Sequence, residues 1–352
     1  MIQKDQLAAD KGRRLEFDIL RLLAILLVVY NHTGTNGFSL FTQNCSAVNY
    51  VLSLGMAIVS KIAVPLFFMI SGGLLLAKEE PISVLLKKRV LRMVLVLLIF
   101  SLLNYGMRIH WGTVTEPGIY DFCRKLWSEG LTDPYWYLYT YIGLLLLTPF
   151  LRPMVQNMPD RAFMYLCLLN LLFVGVLPVI GFICDFGYIV EDFWIPLVTK
   201  NGIYYLLGYY LMHRLSYNRL TGRWLLRLWL AAIAAVFVTA CLMTWDREEL
   251  WCYFEKFTLW PALAVCLTVV AWVKRHPITP LSGRILKELG SCVFGTYLLE
   301  GILRYEYTPL FQALRPRLHQ LPACIVFTLA VIATGMAITT VLRRIPGIRR
   351  LL

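Results

Sequence analysis

The first apolar stretch of the chain, Leu15–Gly34, carries Asp18, Arg21 and His32. A charged group inside a membrane segment costs ~2.5–3.5 kcal/mol on insertion scales, so each is a functional candidate. Asp18 precedes Arg21 at the i, i+3 spacing that lets a carboxylate hold a guanidinium. Arg21 and His32 lie close to three helical turns apart, on one face and ~16 Å along the axis. An imidazole that titrates near neutrality suits proton transfer from a hydroxyl. It also suits transient acylation, and the residues leave base and acyl relay both open. Arg21 stays charged at any working pH and suits binding or electrostatic stabilisation.

Further along the chain, Lys61 and Glu300 fall within apolar runs. Lys61 either faces a cavity or snorkels. Glu300 either pairs with Lys61, Arg21 or His32, or meets water at the interface. The run Lys87-Lys88-Arg89-Val-Leu-Arg92 fixes orientation, or grips the phosphates of a cytosolic cofactor. A cofactor set of Arg21, Lys61, Lys88, Arg89 and Arg92 follows from the second alternative. No metal site is expected: the nine Cys form no C-x-x-C pair and no cluster at ligand spacing. Absence of G-x-S-x-G argues against a serine acyl-enzyme.

The elements that position these groups are apolar helices. The 352 residues are 59% hydrophobic and 16% charged, far from a soluble domain at ~25% charged. About ten helices are expected, at 15–34, 47–77, 90–109, 135–152, 162–181, 197–213, 224–244, 256–273, 289–304 and 321–342. The fold class is all-α, a polytopic integral membrane protein. The second segment is too long for one straight span, and Pro65 and Gly72-Gly73 are expected to break or bend it. The net charge of +13 sits at the ends of apolar runs, which fits topology signals and anionic lipid rather than nucleic acid. Most Lys and Arg fall on one side when both termini are cytoplasmic, and His32 then lies at the outer end of its helix. A cytoplasmic segment 1–14, read as uncleaved, precedes a membrane domain 15–344 and a tail 345–352. Cys45, Cys123, Cys184 and Cys252 fall in outer loops, and their disulfide state stays open.

The Asp18-x-x-Arg21 opening followed by His32 resembles the membrane-bound acyltransferase 3 family. So does Lys61-Ile-Ala-Val-Pro65-Leu-Phe-Phe-Met-Ile-Ser71-Gly-Gly, against a family pattern of V-P-L-F-F-x-I-S-G. Trp136, Leu138, Gly143, Leu144 and Pro149 match the family's aromatic stretch, with Leu145 where Tyr is usual. Asn201–Tyr210 is similar to its F-x-G-Y-F-L-L-G-Y segment. Cys292–Glu300 is similar to S-F-G-I-Y-L-x-H, with Glu300 in place of the usual His. The resemblance covers nearly the whole chain. It implies an O-acyltransferase, with His32, Arg21 and Asp18 catalytic and Trp136, Tyr139, Ser71 and Glu300 near the acceptor. Acetyl-CoA or another acyl-CoA would be the co-substrate. The acceptor would be a glycan or lipid-linked sugar at a bacterial plasma (inner) membrane. Membrane lipids would be partners, nucleic acid would not, and self-association is left open. A transporter of a small anion or amino acid uses similar intramembrane charges around a broken helix, and an envelope-assembly scaffold is a third reading.

Overall fold

The structure, a computed structural model, describes residues 14–43, 45–129, 131–186, 195–217, 222–245, 254–276 and 278–352. Every regular element among them is helical. The principal helices are α1 (Leu15–Asn31), α2 (Ala47–Ser60), α3 (Ala63–Leu75), α4 (Ile82–His110), α5 (Trp136–Asn157) and α6 (Asp160–Ile183). They continue with α7 (Gly202–Tyr209), α8 (Gly222–Trp245), α9 (Leu259–Arg275) and α10 (Pro280–Glu306). The last are α11 (Thr308–Leu318), α12 (Gln320–Leu342) and the short α13 (Pro346–Leu351). Each apolar segment read from the sequence therefore contains a helix.

Among the described residues six helices are long and apolar enough to cross a bilayer: α2 with α3, α4, α5, α6, α8 and α12. α1 and α9, at 17 residues each, reach only ~26 Å against a hydrocarbon core of ~30 Å. α10 starts nine residues before its predicted position, and its first turns carry exposed Arg284 and partly exposed Lys287. The long helices turn large apolar side chains outward, among them Leu98 and Leu102 of α4, Met164 and Leu168 of α6, and Ile233 and Phe237 of α8. Such a surface is an aggregation hazard in water and ordinary contact in lipid.

The short α1 survives because it is central. It packs on α10, α3, α12 and α9, and Leu20, Ala24 and Val29 are fully covered. The break in the second segment falls at Lys61-Ile62, upstream of where both glycines stand. Pro65 is the third residue of α3, where its missing N–H would have no helical partner, so the helix begins just before it. Gly72 and Gly73 stay helical, contrary to the expected bend there. They let α7 approach instead: a Cβ on Gly72 would sit 1.8 Å from the Tyr205 carbonyl oxygen, and one on Gly208 would sit 2.0 Å from that of Met69. Cys45, Cys123 and Cys184 are free thiols. Cys252 and most of the predicted N-terminal segment lie outside the described residues.

Candidate functional site

At the N-terminal end of α1, Asp18 is fully buried and Arg21 Nη1 donates to its Oδ1 at 2.9 Å. The carboxylate lies against Gly290 of α10, where any Cβ would meet Oδ1 at 2.6 Å. Arg21 opens onto a cavity of about 750 Å³. Seven basic side chains line it: Arg14 and Arg21 beside α1, Lys78, Arg89 and Arg92 around the start of α4, and Arg343 and Arg349 at the C-terminal end of the chain. Among the described residues no Asp or Glu side chain does. Arg89 grips Glu80 through two nitrogens, at 2.7 and 3.0 Å, and Arg152 adds a third contact to that carboxylate at 3.0 Å. Hydrogen bonding from Arg89 holds the Glu80 carboxyl below the usual carboxylate range. Arg92 Nε donates to the Leu351 carbonyl of α13 at 3.0 Å. Lys88 is exposed and outside the cavity. Ser71 lines this cavity.

His32 caps the C-terminal end of α1. Its Nδ1 lies 2.9 Å from Oε1 of fully buried Glu300. The approach is close but outside hydrogen-bond geometry, and neither atom has a hydrogen-bond partner among the described residues. Arg304, one turn along α10, donates Nε to the other Glu300 oxygen at 2.7 Å. Its Nη1 donates to the His32 carbonyl. Imidazole, carboxylate and guanidinium thus close a ring that ties α1 to α10. A carboxylate buried this far survives only when paired. Arg304 was not foreseen, although its i, i+4 spacing from Glu300 was visible.

The histidine borders two cavities. The smaller, about 190 Å³, contains Lys61, Trp136, Asn201 and Glu255. Lys61 Nζ sits 5.2 and 5.1 Å from the ring centres of Phe38 and Phe254 and 3.9 Å from Glu255. The larger, about 480 Å³, contains Asn104, Arg108, Trp111, Arg304 and Tyr305. Lys61 is therefore placed with His32 and away from the other basic residues expected to share its role. Tyr139 lines none of these cavities, and its hydroxyl donates to the Leu126 carbonyl at 2.6 Å.

Among the described residues none lines both the basic cavity and a His32 cavity. The Arg21 cavity and those of His32 are thus separate in this conformation. The partition is thin. Tyr297 on the basic side and Gly301 on the histidine side are four residues apart on α10, about 6 Å of helix. Tyr297 packs edge-on to Tyr137, with ring centres 5.8 Å apart. Its hydroxyl donates to the carbonyl of Pro134, a residue that lines the larger histidine cavity. Tyr135 returns the link by donating to the Leu298 carbonyl at 2.7 Å. These tyrosines were not singled out from the sequence, where they resemble an interfacial aromatic belt.

Residues 14–341 match the family model described as an acyltransferase domain. No curated protein matches the chain, and no solved structure does.

Proposed function

The chain belongs to this acyltransferase family, and from that premise we propose that it moves an acyl group from cytosolic acyl-CoA to a hydroxyl of an extracytoplasmic glycan. Both termini face the cytoplasm in this reading, the basic cavity opens inward, and the membrane is a bacterial inner membrane. The observation that carries it is the juxtaposition at the two ends of α1. A cavity lined by seven basic side chains and, among the described residues, no Asp or Glu side chain suits the phosphates of CoA, and it ends one helical turn short of a buried Glu–His pair.

In the proposed step the arm of acyl-CoA passes the tyrosine partition and brings its thioester to His32. Glu300 holds Nδ1, leaving Nε2 to take the proton of an acceptor hydroxyl. The alkoxide oxygen attacks the thioester carbonyl, the C–S bond breaks, and the departing thiolate receives the proton from the imidazole. The acyl-imidazole route uses the same placement, with His32 attacking first. Asp18 keeps Arg21 aimed into the inner cavity. The test is transfer of labelled acetyl from acetyl-CoA to a cell-envelope glycan by purified protein. His32→Ala is expected to abolish transfer, and full retention of transfer by that variant overturns the reading.

A further inference from the structure

The larger cavity beside His32 holds a charge that the proposed chemistry does not use. Among the described residues two arginines line it and no Asp or Glu side chain does. Arg304 is already engaged by Glu300 and by the His32 carbonyl. Arg108, near the end of α4, is only partly exposed, and its guanidinium has no hydrogen-bond or ion-pair partner among the described residues. The contrast with the smaller cavity is direct, because Lys61 there is met by Glu255 and two aromatic faces. A guanidinium presents a planar fork of donors that matches a carboxylate or phosphate, and leaving it unmatched in a recess forgoes its strongest interaction.

The walls around Arg108 suit a sugar. Trp111 and Tyr305 stack with ring centres 3.9 Å apart, a platform fixed by a hydrogen bond from Trp111 Nε1 to Glu306 at 2.7 Å. Asn36, Asn104 and Thr113 add neutral polar groups. Resting on the acyl-transfer reading above, we propose that the acceptor is anionic: a sugar bearing a carboxylate or phosphate seats that group on Arg108 and its ring on the Trp111–Tyr305 platform. Its hydroxyl is thereby presented to His32. Arg108 is a specificity residue in this scheme and takes no part in the proton transfer.

Binding tests this independently of turnover. The full-length protein, in lipid-free neutral detergent, is titrated with methyl β-glucuronide and with methyl β-glucoside by ligand-observed NMR. The two sugars differ in the carboxylate. The expected result is tighter binding of the glucuronide by about tenfold, with the advantage removed in Arg108→Gln and partly kept in Arg108→Lys, which retains charge without the fork. Equal binding of the two sugars, no binding of either at 10 mM (roughly the weak limit of carbohydrate sites on the affinity scale), or an advantage that survives in Arg108→Gln overturns the proposal. A second arm compares nanodiscs of phosphatidylcholine with and without phosphatidylglycerol. Loss of the glucuronide advantage only when phosphatidylglycerol is present, reversed by Arg108→Gln, would assign Arg108 to a lipid headgroup and also overturn it. Failure of acyl transfer itself would leave these titrations unchanged, so the two readings fall separately.

Discussion

Replacing Glu300 with Gln isolates the part of the site on which the proton transfer depends. The change keeps the side chain's shape and deletes its charge, 2.9 Å from His32 Nδ1 and 2.7 Å from Arg304 Nε. Exchanging a charge-assisted contact for a neutral one forfeits ~1–2 kcal/mol, about 5- to 30-fold in rate at 1.36 kcal/mol per decade. If the new amide donates to Nδ1, the tautomer inverts, Nε2 carries the proton, and the base is lost for a further ~10²–10⁴. The expected kcat is therefore at least ~5-fold below wild type, and far lower if the tautomer inverts, with little change in KM for acetyl-CoA. Stability must be read alongside. Breaking a buried ion pair costs ~3–5 kcal/mol, and because a quarter of the Arg304 side chain is exposed the cost here is nearer ~1–3 kcal/mol. The double variant Glu300→Gln with Arg304→Gln removes the orphaned charge, so it should recover melting temperature and not rate. Acetyl transfer measured in parallel with thermal unfolding separates the two effects. A Glu300→Gln enzyme with kcat within twofold of wild type refutes the positioning of His32 by this carboxylate.

Four other substitutions read other parts of the molecule. Asp18→Asn removes the carboxylate that Arg21 grips and should raise KM for acetyl-CoA about tenfold, read from initial rates of thiol release. Tyr297→Phe unlatches the partition from Pro134 and should raise acceptor-independent hydrolysis of acetyl-CoA several-fold, whereas an unchanged rate would show that this hydrogen bond does not guard the passage. Gly208→Ala forces a methyl to within 2.0 Å of a backbone oxygen and should cost several kcal/mol or prevent folding. Gly106→Ala, also helical and with nothing within 4 Å of the added carbon, should be neutral or stabilising by ~1 kcal/mol. Melting temperatures in detergent check that pair.

Local spacing made much of this legible in the sequence. The Asp18–Arg21 pair is one turn of one helix, and the apolar runs are contiguous, so both were readable without knowing how the chain folds. Gly208 lies in the Asn201–Tyr210 stretch that resembles the family, and its bare helix surface admits α3. What escaped reading depends on long-range topology. Glu300 meets His32 only because α10 lies along α1, and the sequence left three partners open for it. Arg343 and Arg349 read as orientation signals, yet the end of the chain folds back so that both line the basic cavity. Gly72 and Gly73 carry the same signature whether they bend a helix or admit one, and only the position of α7 decides. Lys61 and the Arg89 region are both basic and both near helix ends, but α1 separates the cavities they line.

The most direct test of the account is sidedness in sealed proteoliposomes of known orientation. Labelled acetyl-CoA is supplied to one face and a glycan acceptor to the other, and acetylated acceptor is counted. The account predicts product only when acetyl-CoA faces the Arg21 cavity and the acceptor faces His32, and none with His32→Ala. Equal product with both reactants confined to either single face would contradict it.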